Sequence, residues 1–302
     1  MKPQVIERRN GNPVAPDGHH ARPNGRWADD KLSFLDRYLV PALRIATPHF
    51  RHRVYVDLFA GPGVFFDERL REFFPGGALR VLDASGASAR LRDRQFTHAV
   101  LVNLDRDDHD ALSARIDALD ADGRLTSPRA NIQLVHDDAN AVVQRLGRLL
   151  PASPYVFAFV DPEKPEQWPW QSCVALRRAV PKALDLYLLY PGMMALNRCI
   201  SYQGHPNERA LSAYFGCEEW RAIADARRTK AESPEMRQEL EALYERQLAT
   251  LGLAYVRRPR RICRTGACEL YTMFFASRKP VAYKLAEWEM ETVSSQLGLF
   301  AG

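Results

Sequence analysis

Between residues 54 and 191, five short apolar runs alternate with stretches of helical periodicity, and this alternation limits the folds open to the chain more than any other feature. The runs are VYVDLF, HAVLVNLD, NIQLVHD, YVFAFVD and LDLYLLYP. Each is rich in β-branched and aromatic residues and too short for an ordinary helix. Between them lie GGALRVLDASGASARL, HDALSARIDAL, NAVVQRLGRLL and WQSCVALRRAV, with apolar residues at three- and four-residue spacing. Strands separated by helices predict a mostly parallel sheet covered on both faces. The expected class is α/β with a Rossmann-like sheet.

The flanks read differently. Residues 1–28 lack hydrophobic periodicity and are rich in Pro, Gly and Asn, which predicts a flexible or draped arm. From Lys31, the residues Leu32, Phe34, Leu35, Tyr38, Leu39 and Leu43 recur at helical spacing, predicting a helix interrupted near Pro41. Residues 29–191 then form the Rossmann-like core, and 192–253 carry two helical stretches that read as an insert or small lobe. In 254–302, LAYVRRPRRICR and ELYTMFFASR flank a Thr-Gly turn. They predict an antiparallel hairpin at the sheet edge, followed by an amphipathic helix that completes the core.

Hydrophobic content of 46% supports a sizeable core, yet no apolar run approaches the ~20 residues of a membrane span. The polar N-terminus does not read as a signal peptide. The five cysteines show no metal-ligand spacing, so reduced thiols, no metal and a cytoplasmic location are expected. His19, His20, His98, His109, His136 and His205 form no recognisable triad or ligand pattern. Residues 1–53 carry 10 Lys/Arg against 5 Asp/Glu, and 251–302 carry 8 against 4. Basic ends fit a polyanionic partner, and equally the basic tails of a neutral enzyme.

The first run enters the turn Gly61-Pro62-Gly63, followed by Val64, Phe65 and Phe66. A dinucleotide fold needs a third glycine and a helix N-terminus there to hold a pyrophosphate. Its absence favours a ligand without phosphate, such as S-adenosylmethionine. That ligand needs a carboxylate near its amino group, glycines for close backbone approach, a second carboxylate for the ribose and a third polar group near the adenine. Asp57, Asp105 and Asp138 stand at or just after successive strand ends, where open α/β sheets hold ligands. Each has an alternative reading as a helix cap.

With these stretches in hand, the chain resembles the three-Cys-motif partner (TcmP) family, which looks like class I S-adenosylmethionine-dependent methyltransferases. The matching stretches are KLSFLDRYLVPAL, YVDLFAGPG, LVNLD, HDDAN, FVDPE and LDLYLLYPGMMALNR, across about residues 31–276. The resemblance implies that Asp57, Phe59, Ala60, Gly61 and Gly63 line the methionine end of the cofactor. It places Asp105 on the ribose and Asp138 with Ala139 on the adenine. It also implies a partner protein that carries the three-cysteine motif.

A second site is expected at Asp161-Pro162-Glu163-Lys164. Amino-methyltransferases that act on bases or glutamine carry a D/N-P-P-Y/F/W motif at this position. Its first side chain and a proline carbonyl accept hydrogen bonds from the target amine, and its aromatic stacks on the target. Asp161 and Pro162 are the catalytic candidates. Glu163 and Lys164 depart from the motif, and Trp168 or Trp170 could supply the stacking ring or simply pack in the core. Arg257, Arg258, Arg260 and Arg261 form the densest basic run, which reads as a nucleic-acid contact or as edge-strand protection. Arg198 is a further substrate candidate. The expected activity is methyl transfer from S-adenosylmethionine to nucleic acid, at an amino nitrogen. The alternative is a non-catalytic partner that binds the cofactor or nucleic acid and supports a three-cysteine-motif protein.

Overall fold

A computed structural model describes residues 6–85, 95–191, 207–226, 234–264 and 268–298, and the chain divides into two units, Met1–Asp138 and Ala139–Gly302.

The first unit opens with three two-residue strands, β1 (Arg8–Arg9), β2 (Asn12–Pro13) and β3 (Arg22–Pro23), within the segment read from sequence as an arm. β1 and β2 pair antiparallel around Asn10 and Gly11, whose φ angles of 52° and 82° suit a tight hairpin. Ala15 and Ala21 pack with Phe66, and Ile6, Val64 and Phe73 lie against them. Helix α1 (Arg26–Ala46) buries Leu32, Phe34, Leu35, Tyr38, Leu39 and Leu43, the predicted face. It runs through Pro41 without interruption. Pro41 removes one backbone donor, but the apolar face continues at Ala42, Leu43 and Ala46 and holds the last turn against the core.

The unit continues with β4 (Arg53–Asp57), β5 (Val64–Asp67), β6 (Glu72–Pro75), α2 (Gly77–Leu82), β7 (His98–Asn103), α3 (Arg106–Ala121) and β8 (Ile132–His136). β7 lies between β4 and β8 and is parallel to both. The apolar Val64-Phe65-Phe66 is a strand in its own right, paired antiparallel with β6 and parallel with β3. The helix expected across GGALRVLDASGASARL is α2 alone; residues 86–94 of that stretch lie outside the described residues.

The second unit contains α4 (Ala139–Leu149), β9 (Tyr155–Val160), α5 (Trp170–Ala179), β10 (Ala183–Tyr190), α6 (Asn207–Phe215), α7 (Glu219–Ala226), α8 (Pro234–Thr250), β11 (Tyr255–Arg264), β12 (Cys268–Ser277) and α9 (Pro280–Gly298). β9 and β10 pair in parallel, β12 runs antiparallel to β10, and β11 closes the edge antiparallel to β12. Every residue of β9 and β10 is buried, as strands covered on both faces require. Helices α6 and α8 are fastened by an aromatic cluster of Trp170, Tyr190, Tyr214, Phe215, Tyr244 and Phe274. In it the Tyr214 and Tyr244 rings stack at 5.0 Å, and Trp170 meets Tyr244 edge-on at 5.8 Å. Parallel strands with flanking helices, and an antiparallel edge hairpin in the second unit, make this a Rossmann-like α/β fold. Among the described residues no helix is long and apolar enough to cross a membrane.

Gly216, just past α6, has φ 67°, and a Cβ there would stand 2.2 Å from Cδ1 of Trp170. Gly252 has φ 72° with open space around it. Gly252→Ala should therefore cost about 1 kcal/mol, from backbone strain alone. Gly216→Ala should cost about 1–3 kcal/mol beyond that, because it also overpacks the core. Thermal unfolding of the two variants checks the difference; equal midpoints would rule out the packing of Trp170 beneath residue 216.

Candidate cofactor site

The site is built where β4, β7 and β8 end on the same side of the first unit. β4 ends at Asp57, which is 1% exposed. Its Oδ2 accepts from the Tyr55 hydroxyl at 2.9 Å and its Oδ1 from the Phe59 amide at 3.2 Å. Asp57 therefore holds the chain as it leaves the strand. Phe59 is half-buried and Ala60 buried, with the Ala60 amide donating to the Val102 carbonyl on β7.

The glycine turn follows, with φ 62° at Gly61 and 85° at Gly63. Three consecutive carbonyls are each engaged by a different donor. Asn103 Nδ2 donates to Gly61 O at 3.0 Å, Arg115 Nη1 to Pro62 O at 2.6 Å, and the Gly76 amide to Gly63 O at 2.8 Å. The two glycines differ in surroundings. Gly61 is half-exposed, and a Cβ on it would make only ordinary contact with Phe65 at 3.8 Å. Gly63 is buried, and its Cβ would fall 2.9 Å from Leu112 and 3.2 Å from Leu79. Gly61 thus supplies the open backbone that a ligand could approach, and Gly63 supplies close packing.

Asn103, the last residue of β7, was not singled out from sequence. It is buried, its side chain holds the glycine turn, and its carbonyl accepts from the Asp137 amide at 3.0 Å. One residue thereby links the loops that follow all three strands. The signal available was a lone amide side chain ending an otherwise apolar strand. Leu104, next along, is 69% exposed and stands beside His136, whose Nε2 lies 3.2 Å from the Leu104 carbonyl. Burial is the leading influence on the neighbouring His109 imidazole and, despite Asp110, holds it below its ordinary range.

Asp105 is exposed and caps α3: its Oδ1 accepts from the Asp108 amide at 3.0 Å. The capping alternative is realised, and it leaves the carboxylate at the surface beside Leu104. Asp138 is half-buried, its amide donating to Asp137 Oδ1 at 2.8 Å, and Ala139 opens α4 as a buried residue. An open glycine, an exposed apolar side chain and the carboxylates of Asp105 and Asp138 at adjoining strand ends are a set of groups that fits a nucleoside carrying an amino-acid arm. Among the described residues no group of three or more His, Cys, Asp or Glu side chains is placed to hold a metal ion.

In the second unit, β9 leads into half-buried Asp161, buried Pro162 and exposed Glu163 and Lys164. The following 3-10 turn, Pro165–Gln167, returns the Gln167 side chain to this loop. Gln167 Oε1 accepts from the Glu163 amide at 2.7 Å and the Lys164 amide at 3.0 Å. The Gln167 carbonyl is held by Asn140 Nδ2 at 3.1 Å, and Asn140 Oδ1 accepts from the Ser172 hydroxyl at 2.6 Å. Trp168 is fully buried and donates from Nε1 to Cys173 Sγ at 3.1 Å. Trp170 lies in the aromatic cluster. Neither ring is presented for stacking; both belong to the core. Burial pushes the Cys173 thiol up to about 11.

Arg257, Arg258, Arg260 and Arg261 all lie on the edge strand β11, whose pairing with β12 is irregular between Arg257 and Arg260. Arg198 lies outside the described residues.

No family model matches the chain, and no curated protein matches it. Among solved structures it is similar to a Legionella pneumophila protein of family DUF519, with 13% identity over 90% of this chain and 92% of that one, TM-score 0.45. It is also similar to a SAM-dependent methyltransferase from Thiobacillus denitrificans in complex with S-adenosyl-L-homocysteine, with 13% identity over 82% and 89%, TM-score 0.31. A SAM-dependent methyltransferase from Geobacter sulfurreducens, also in complex with S-adenosyl-L-homocysteine, shows 11% identity over 82% and 89%, TM-score 0.33.

The contrast between the two glycines is testable. Gly63→Ala should destabilise the protein by about 2–3 kcal/mol, combining strain and overpacking. Gly61→Ala should cost about 1 kcal/mol yet weaken S-adenosylhomocysteine binding at least about tenfold, since the added methyl occupies the open side. Thermal unfolding and calorimetric titration separate the two effects. A Gly61 variant with intact binding would remove that residue from the ligand site.

Proposed function

We propose that this chain binds S-adenosylmethionine at the ends of β4, β7 and β8 and transfers its methyl group to an amino nitrogen of a nucleic acid. The observation that supports this best is the buried Asn103, which joins the glycine turn to the Asp137–Asp138 loop and stands directly before Leu104 and Asp105. In this reading Phe59, Ala60 and Gly61 receive the methionine end, with Asp57 and Gly63 holding the turn in shape. Asp105 takes the ribose hydroxyls, Leu104 covers the base, and Asp138 with Ala139 takes the adenine edge. When bound, the cofactor supplies a methyl group on a sulfonium, an electrophile already activated.

The protein's own contribution is then positioning and desolvation. The Asp161 carboxylate and the Pro162 carbonyl would accept hydrogen bonds from the target amine, keeping its lone pair on nitrogen and directed outward. Arg257, Arg258, Arg260 and Arg261 would track the phosphates of the nucleic acid from the edge strand, with Arg198 as a further contact. Membership of the three-Cys-motif partner family, with its three-cysteine protein as partner and a cytoplasmic setting, belongs to the same proposal.

A second reading is a non-catalytic, cofactor-binding partner of a three-cysteine-motif protein. It is favoured by the burial of Trp168 and Trp170, which leaves the altered Asp161–Lys164 loop without a ring from either.

Titration of S-adenosylmethionine and S-adenosylhomocysteine into the wild type and Asp57→Asn tests the cofactor site. Wild type should bind in the micromolar range, about −8 kcal/mol. The variant keeps the side-chain volume but weakens the hold on the turn, and should bind at least about tenfold less tightly. No binding to wild type would end the methyltransferase reading. For the acceptor loop, Asp161→Ala should bind the cofactor normally while losing radiolabelled methyl transfer onto total nucleic acid by a factor of about a hundred or more. Undiminished transfer would place the acceptor elsewhere.

A further inference from the structure

Arg115, on α3, is 5% exposed and spends all five of its guanidinium donors. Nε donates to Asp17 Oδ2 at 2.6 Å, and Nη2 to Asp17 Oδ1 at 3.0 Å and the His19 carbonyl at 3.3 Å. Nη1 donates to the His20 carbonyl at 3.1 Å and to the Pro62 carbonyl at 2.6 Å. Four of the five bonds go to the N-terminal segment and the fifth to the middle of the glycine turn. Burial tends to raise the Asp17 carboxyl, but the Arg115 hydrogen bond and charge, with the His19 amide, hold it on balance below its usual range.

Two further contacts tie the same segment to the same loops. Asp108, buried in the first turn of α3, meets His20 Nε2 at 2.8 Å and an Arg22 guanidinium nitrogen at 2.6 Å. It is also the residue whose amide is capped by Asp105. β3 pairs with β5 at Arg22–Phe65 and Pro23–Phe66, and the Asn24 amide donates to the Phe66 carbonyl at 2.9 Å, three residues past Gly63.

We propose that residues 17–24 form a clasp that belongs to the ligand site, with Asp17 and Arg115 as positioning residues for the glycine turn. The inference rests on the cofactor reading above. A peptide flanked by two positive-φ glycines has many accessible conformations, and only some present Gly61 to a ligand. Arg115 selects among them through Pro62, but a buried guanidinium keeps that orientation only while its countercharge and other acceptors are in place. Docking of the clasp and occupation of the turn are therefore linked, and by reciprocity each strengthens the other to the same extent.

The test uses the full chain, S-adenosylhomocysteine as probe, and the variants Asp17→Asn and Asp17→Glu. Asp17 is partly exposed, so neither change disrupts a core. Asp17→Asn should weaken binding about tenfold, Asp17→Glu should restore most of it, and Asp17→Asn should add little in an Arg115→Lys background. In wild type, saturating ligand should slow hydrogen exchange at the amides of Ala15, Ala21 and Asn24, which are bonded to the His19, Pro13 and Phe66 carbonyls. Wild-type affinity in Asp17→Asn, while wild type itself binds, would overturn the clasp and leave the cofactor site standing. Absence of binding to wild type would overturn both.

Discussion

A backbone that bends through two left-handed glycines cannot hand its carbonyls to a helix or a strand ladder, and much of the first unit is arranged around that constraint. The carbonyls of Gly61, Pro62 and Gly63 are met in turn by a strand-end amide, a helix arginine and the amide that opens α2. Each donor comes from a different element, so the turn is a junction of β7, α3 and the β6–α2 connection. Asp57 stabilises the same junction from below through the Phe59 amide. A buried polar group without a partner costs about 1–3 kcal/mol, so these bonds carry strong structural preference.

The large elements were legible in sequence because their signals are local. Short apolar runs marked β4, β7, β8, β9 and β10, period-3.6 patterns marked the helices after them, and the two runs around the Thr-Gly turn marked β11 and β12. What escaped depends on contacts made outside the segment itself. Val64-Phe65-Phe66 becomes a strand because β3 and β6 flank it, and nothing within the tripeptide says so. Pro41 would end an isolated helix, whereas packing of Ala42, Leu43 and Ala46 carries α1 past it.

The candidate site shows the same division. Asp57, Gly61, Gly63 and Asp105 stood out by residue type and position, and Asp105 indeed serves as the helix cap weighed as its alternative. Asn103 and Arg115 did not stand out, since an amide at a strand end and an arginine within a helix are common residues in common places. Their roles come from what they reach, 42 and 53 residues away in sequence. Trp168 and Trp170 were ambiguous because a large ring suits either stacking or a core, and the Cys173 contact and the aromatic cluster place them in the core.

The loop after β9 has a consequence of a different kind. A proline at position 163 would remove the backbone donor there and stiffen the bend by its ring. Here the donor is present, and the single Oε1 of Gln167 accepts it together with that of Lys164. The shape of this loop is set by a residue that follows it. The exposed Lys164 side chain can thereby change in charge and size while the bend that carries Asp161 and Pro162 keeps its form. In such a loop, surface charge and backbone shape can vary independently.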